Sequence, residues 1–200
     1  LATDKDVIVI GGGDTGSDCI GTSHRQNART VTQLTHGAMP PANRNPLMPW
    51  PLYPEIFRVS SSQEEGGERL FELKPVGLLG DENGHVRALK VVPVKWNYDE
   101  KGKRLDAVEM TDDAYEMPCQ LALISVGFVH PEHEGMLANL GVELDRRGNV
   151  KASEKSFETS ISKVFSAGDM RRGQSLVVWA QAEGRDAAGR IDAFLQEKNV

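Results

Sequence analysis

Three glycines spaced one, three and six open the chemistry of this chain. Gly11-Gly12-Gly13-Asp14-Thr15-Gly16 is a Gly-x-Gly-x-x-Gly run. Gly11 permits a tight turn, Gly13 lets a pyrophosphate approach bare backbone, and Gly16 lets a helix pack closely on a strand. A helix starting here offers free N–H groups and a partial positive charge to phosphates. The backbone of Gly12 and Thr15 belongs to the same cradle. Asp14 is unexpected, because its charge would repel a phosphate; it either caps the helix or points toward a ribose or nicotinamide. The competing reading of the whole run is an ordinary tight βα turn.

Further groups could complete such a site. In NAD-binding units an acid about 20 residues past the glycines bonds the ribose 2′-hydroxyl. That place reads Gln33-Leu34-Thr35-His36, without a carboxylate, and Arg44 follows in the next loop. Missing acid with nearby His36 and Arg44 favours NADP over NAD. The other readings are a solvated loop arginine and a surface histidine. Gly127 closes an apolar run, Leu121 to Val126, and strand ends of this kind border ligands in open α/β sheets; a plain strand end is the alternative.

The elements that must position these groups are legible in outline. Asp6-Val7-Ile8-Val9-Ile10 reads as a strand buried on both faces, running directly into the glycines. A helix is expected from Thr15 to about Gln26, then a β-branched strand over Thr30–Leu34. Six prolines between residues 40 and 54 exclude regular structure there. Trp50, Tyr53 and Phe57 interleave with them, which suits a stiff excursion pinned by its own aromatics, or else a partner-docking loop. Ser62 to Glu65 has the capping-box pattern, and Gly66-Gly67 limits that helix to a turn or two.

From Arg69 the period becomes two. Strands around Phe71–Leu79, Val86–Trp96 and Arg104–Met110, joined by Asp81–Gly84 and Asp99–Gly102, predict an antiparallel meander. It stands where a doubly wound fold would carry its third strand and crossover. Leu121–Val126 then predicts a second buried strand. Beyond Gly127, a short helix is expected over Glu134–Leu140 and short strands around Arg146–Asn149. Another strand should end at Gly168-Asp169. The last helix opens at Leu176, with Ser175 as N-cap and an apolar face of Leu176, Val177, Ala180, Ala188, Ile191 and Leu195. The fold class is α/β: a Rossmann-like domain with an inserted antiparallel β meander.

Composition limits the function classes. A hydrophobic fraction of 39% with 26% charged residues is that of a globular chain. A formal net charge of −6 argues against general nucleic-acid binding. No apolar run is long enough for a bilayer, and no signal peptide opens the chain. Cys19 and Cys119 read as reduced, buried small hydrophobes, with a metal or redox role as the minority reading. No Cys-x-x-Cys occurs, so no iron–sulfur cluster is held by this chain alone. A cytoplasmic setting follows as the default.

Thr159-Ser160, then Val164-Phe165-Ser166-Ala167-Gly168-Asp169 before a capped helix, resembles the second FAD signature of two-dinucleotide-binding flavoproteins of the pyridine nucleotide-disulfide oxidoreductase type. Gly11 to Cys19, Val31-Thr32-Gln33-Leu34, Arg171 to Ala180 and Glu183-Gly184-Arg185 resemble the glutamate synthase small (beta) subunit family. The loop around Pro49-Trp50-Pro51 is also similar. The resemblance covers nearly the whole chain and is loosest between Arg69 and Met110. It implies an NADPH-binding domain over residues 1–127 and the C-terminal segment of an FAD-binding domain over residues 128–200. It implies NADPH on Gly11–Gly16, and FAD on Gly168, Asp169 and the helix start at Ser175, Leu176 and Val177. The family's iron–sulfur clusters and the turn binding the ADP half of FAD belong to an N-terminal region without counterpart here. The implied partners are the large subunit and the remainder of the chain's own subunit, with no nucleic acid and no membrane. The implied reaction passes hydride from NADPH to FAD, and electrons onward for glutamate synthesis. It needs positioning rather than acid–base help, so no catalytic side chain is expected. A reductase module like that of dihydropyrimidine dehydrogenase or ferredoxin–NADP reductase, a non-catalytic NADP(H) sensor and a proline-loop interaction module are the other expectations.

Overall fold

The structure, a computed structural model, describes residues 1–46, 50, 56–100 and 104–197. The chain divides into two compact units, Leu1–Val126 and Gly127–Val200. Among the described residues no helix is long and apolar enough to cross a membrane.

The first unit begins with β1 (Asp6–Ile10), α1 (Asp14–Arg25) and β2 (Thr30–Leu34). A four-residue helix, α2 (Ser61–Glu64), leads into β3 (Glu68–Leu70). The meander follows as β4 (Leu73–Gly80), β5 (Val86–Tyr98), β6 (Arg104–Glu109) and β7 (Tyr115–Pro118), and β8 (Leu121–Ile124) closes the unit. A parallel sheet runs in the order β3-β2-β1-β8. β5 is the spine of the antiparallel sheet, pairing with β4, β6 and β7.

The period of two in β1 explains how the layers meet. Val7 and Val9 cluster with Val31 and with Ile20 of α1. Ile8 and Ile10 point the other way and cluster with Leu34, Leu73, Leu89, Val91 and Cys119. Thus α1 covers one face of the parallel sheet and the meander covers the other, where a crossover helix would otherwise lie. Burial on both faces is why β1 and β2 are rich in aliphatic and β-branched residues.

Several expectations are corrected. The extended run from Arg69 does not open the meander: Glu68–Leu70 pairs in parallel with Thr32–Leu34, completing the Rossmann-like sheet before the chain turns into β4. The capping box is Ser60 with Gln63, not Ser62 with Glu65; Ser60 accepts from the Gln63 N–H, and Gln63 reaches back to the Ser60 N–H. Gln63 wins because its amide can cap and also donate inward, which a glutamate cannot. β8, at the edge of the sheet, stops at Ile124, and its side chains are half-buried or, at Ile124, exposed, rather than buried as expected. Of the proline-rich excursion, residues 47–49 and 51–55, including Pro49, Pro51, Tyr53 and Pro54, lie outside the described residues. Trp50 is exposed. Phe57, beyond it, packs edge-on to Phe71 and under the Arg69 guanidinium.

The second unit contains α3 (Met136–Leu140), α4 (Asp169–Arg172) and α5 (Val177–Glu197) around Leu137, Val142 and Val150. Gly141 ends α3 in the left-handed region, at φ 68°. The strands expected around residues 142–151 and 159–165 are reduced to isolated bridges, Leu144 with Val150 and Glu158 with Phe165. α5 buries Glu183 and Ala187, while Leu176, Val177, Ala188 and Leu195 of the expected apolar face are exposed. Helical spacing from Ala180 to Glu183 and Ala187 puts the buried stripe on small residues and one charged residue.

Candidate dinucleotide-binding site

The glycine turn sits at the carboxyl end of β1, between two strands that anchor it. The Gly11 N–H donates to the Leu34 carbonyl at 2.9 Å, and the Ser125 N–H donates to the Ile10 carbonyl at 2.8 Å. Gly11 has φ 127°, and a Cβ there would lie 2.3 Å from the Ser125 carbonyl oxygen. A Cβ on Gly16 would lie 2.6 Å from the Gly11 carbonyl oxygen. Both positions therefore admit only glycine. Gly13 differs: apart from chain neighbours, nothing lies within 4 Å of where its Cβ would be. Gly12, Gly13, Asp14 and Thr15 are exposed, whereas Gly16 and Ser17 are buried.

Gly13 is the N-cap of α1, and no side chain caps the helix. Asp14 lies in the first turn and is not the cap, which overturns one of its two expected roles. The N-terminal N–H groups of a twelve-residue helix thus face an open surface at the end of a buried strand.

Sequence reading missed the side chains that hold this turn. Gln33 is buried within β2 and donates from Nε2 to the Gly11 carbonyl at 2.8 Å. Its Oε1 accepts from Gln63 Nε2 at 2.9 Å. The α2 capping residue therefore fixes the strand residue that fixes the turn. Ser17 and Ser60 share a hydroxyl contact beside it, and Ser125 Oγ donates to the Ile10 carbonyl at 2.9 Å. A glutamine inside a β-branched strand was the available signal, since a buried amide requires partners.

At the carboxyl end of β2, Thr35 packs under the turn: its Oγ1 lies 3.2 Å from the Cβ position of Gly12. His36 is exposed, with its ring edge-on to Trp96 at 5.2 Å between centroids. Trp96 Nε1 donates to the His36 carbonyl at 3.1 Å. The guanidinium of Arg104 lies 4.8 Å over the Trp96 ring. Arg44 is exposed in an irregular segment farther along.

In the second unit, Gly127 has φ 98°, and a Cβ there would meet Gln174 Oε1 at 2.7 Å. The Phe128 N–H donates to the same oxygen at 2.6 Å. Gly127 thus lies against the loop that precedes α5. Ser175 is not the α5 N-cap; its hydroxyl donates to Asp169 Oδ1 at 3.0 Å, and the Leu176 carbonyl begins the helix by accepting from Ala180. Gly168 is buried and Asp169 exposed. Leu176 and Val177 at the helix start are exposed as well.

Glu183 organises this corner. It accepts from the Gly168 N–H at 2.8 Å, from Arg171 Nε at 3.1 Å, and pairs with Arg172 Nε at 3.0 Å. The hydrogen bond from Arg171 holds its carboxyl below the usual carboxylate range despite burial, with the Gly168 N–H adding to the effect. Arg171 is raised in turn, first by that bond. Cys19 and Cys119 are free thiols that burial pushes up, which suits packing rather than nucleophilic work.

Comparison with known proteins agrees with this geometry. Residues 85–184, half of the chain, match the family described as pyridine nucleotide-disulphide oxidoreductase. The glutamate synthase (NADPH) small chain of Mycobacterium tuberculosis is 45% identical over 196 residues, covering 97% of this chain and 38% of that relative. The glutamate synthase (NADH) of Schizosaccharomyces pombe is 40% identical over 203 residues, covering 98% of this chain and 10% of that relative. The chain therefore spans well under half the length of the curated relatives it matches. Among solved structures, a thioredoxin reductase from Lactococcus lactis matches in fold with a TM-score of 0.62 at 19% identity, over 98% of this chain and 54% of that one. A parallel sheet with a glycine turn on β1, a meander as its second layer and a family match that begins in that meander lead to one assignment: the chain belongs to the pyridine nucleotide-disulphide oxidoreductase family.

Proposed function

We propose that this chain is the NADPH-binding part, together with a piece of the FAD-binding part, of a reductase of the glutamate synthase small-subunit kind. The exposed turn, open at Gly13 and set at an uncapped helix N-terminus, carries this reading. Such a cradle accepts a diphosphate: Gly11, Gly12, Gly13, Thr15 and Gly16 offer backbone, and Asp14 lies beside it for a ribose or nicotinamide. His36 and Arg44 supply the basic groups that a 2′-phosphate calls for. Gly127 is the nicotinamide-side contact. Gly168, exposed Asp169, Ser175, Leu176 and Val177 would meet the ribityl chain and flavin of FAD.

NADPH and FAD, when bound, supply hydride transfer between stacked rings. The chain's own residues bind and orient, so none is assigned as an acid or base. On this reading residues 1–127 are the nucleotide domain and residues 128–200 the flavin segment. Iron–sulfur clusters that take single electrons onward are held by other parts of the subunit. The large subunit is the partner that makes glutamate, and the setting is cytoplasmic.

Calorimetry of the chain with NADP⁺ and NAD⁺ tests the reading. The expected result is NADP⁺ bound at least about tenfold more tightly, as one charge-assisted phosphate contact would give. Binding of neither dinucleotide would refute the cradle. Preference for NAD⁺ would keep the cradle and transfer the chain to the NADH-using kind that the Schizosaccharomyces relative's name describes.

A further inference from the structure

The peptide between Gly11 and Gly12 has little orientational preference of its own. Flipping it changes ψ of Gly11 and φ of Gly12, and a residue without Cβ accepts either sign of φ. Two glutamine side chains in series make the choice. The Ser60 N–H donates to Gln63 Oε1 at 2.9 Å, Gln63 Nε2 donates to Gln33 Oε1 at 2.9 Å, and Gln33 Nε2 donates to the Gly11 carbonyl at 2.8 Å. Both ends of this relay are backbone groups: an N–H that can only donate and a carbonyl that can only accept. They leave each amide one orientation in which all three bonds are made. Among the described contacts no other donor reaches the Gly11 carbonyl. In a trans peptide C=O and N–H point opposite ways. With the Gly11 carbonyl turned to buried Gln33, the Gly12 N–H points away from it. Gly12 is exposed, and among the described contacts its N–H donates to nothing.

We infer that Gln33 is a positioning residue for the dinucleotide and that Gln63 sets its direction: together they hold the Gly11–Gly12 peptide with its N–H toward the diphosphate and its carbonyl away. This rests on the proposal that the turn binds a dinucleotide. A phosphate oxygen gains a charge-assisted bond from an N–H and is repelled by a carbonyl oxygen, so the orientation of this one peptide decides affinity. Gln33 is fully buried, so a bond it loses is not replaced by water. The position calls for an amide. A carboxylate has no hydrogen to give Gly11, and an aliphatic side chain can neither give one nor accept from Gln63.

The test uses Gln63→Glu, which keeps the cap and breaks the relay. A glutamate there still accepts from the Ser60 N–H, as in the usual capping box, but its carboxylate cannot donate to Gln33. Calorimetry on the full chain should show NADP⁺ and NAD⁺ weakened by the same factor, about 10- to 100-fold, because both carry the diphosphate. Urea stability should be unchanged. In ¹⁵N-labelled wild-type chain the Gly12 amide proton should move strongly downfield on saturation with NADP⁺, and in the variant it should not. Gln33→Leu should lose both dinucleotides in the same way, by removing the donor itself. Wild-type affinity for both in Gln63→Glu would overturn the inference and leave the dinucleotide reading standing. A loss confined to NADP⁺ would place the effect at the 2′-phosphate and overturn it. A loss in step with urea stability would assign the relay to folding and overturn it as well. Binding of neither dinucleotide by the wild-type chain would remove the reading and the inference together.

Discussion

Gly11 and Gly13 are two residues apart and meet opposite surroundings, so one substitution separates folding from binding. Gly11→Ala drives a methyl group into the Ser125 carbonyl at positive φ. It should cost about 2–4 kcal/mol in urea unfolding and abolish NADP⁺ binding. Gly13→Ala meets empty space at an N-cap, so stability should change by less than about 1 kcal/mol while NADP⁺ affinity falls. Full affinity in Gly13→Ala would remove the phosphate from this turn. Glu183 gives the pH-dependent case. Its folded pKa is depressed, so its contribution is present above the unfolded value of about 4.3 and lost as pH falls through the folded one. Glu183→Gln should destabilise the chain by about 2 kcal/mol at neutral pH. That difference should shrink below about pH 4.3 in urea titrations at several pH values. The glycines were legible because only conformation distinguishes them; the partners of Glu183 were not, because the apolar periodicity around it hides a charge whose neighbours come from α4.

The smallest helix, α2, has consequences larger than its length. Its capping residue Gln63 also holds Gln33, which holds the Gly11 carbonyl. Ser60→Ala should therefore cost about 1 kcal/mol as a lost cap and also weaken NADP⁺ binding, through Gln63 and through the lost hydroxyl contact with Ser17 beside the turn. Unaltered affinity would show the turn to be self-supporting. Across the sheet, Leu89 and Val91 of β5 cover Ile8, Ile10 and Leu34. Leu89→Ala should cost about 2–5 kcal/mol, as a buried truncation in a packed interface does. Alternation in the sequence identified β5 as a strand. It could not show which face of which sheet β5 would cover, because that depends on residues far off in the chain.

The whole molecule exposes apolar side chains that a small monomer rarely leaves bare. Phe128, Val129, Leu176, Val177, Val178 and Trp179 are all exposed in the second unit. The chain spans 38% of its Mycobacterium relative. If Gly168, Asp169 and the start of α5 are one part of a larger flavin site, the chain purified by itself should be colourless. Stoichiometric flavin absorbance would instead make this segment sufficient.

Local chemistry alone determined β1, α1, β2, the glycine turn and the alternation of the meander, since each depends on backbone freedom or on a period within one element. The tertiary structure decided that the meander replaces a helical layer, that Glu68–Leu70 joins the parallel sheet and that Arg104 lies at the end of β2. Those outcomes depend on pairings between residues distant in the chain, where burial and hydrogen-bond satisfaction select among partners that local preference leaves equivalent.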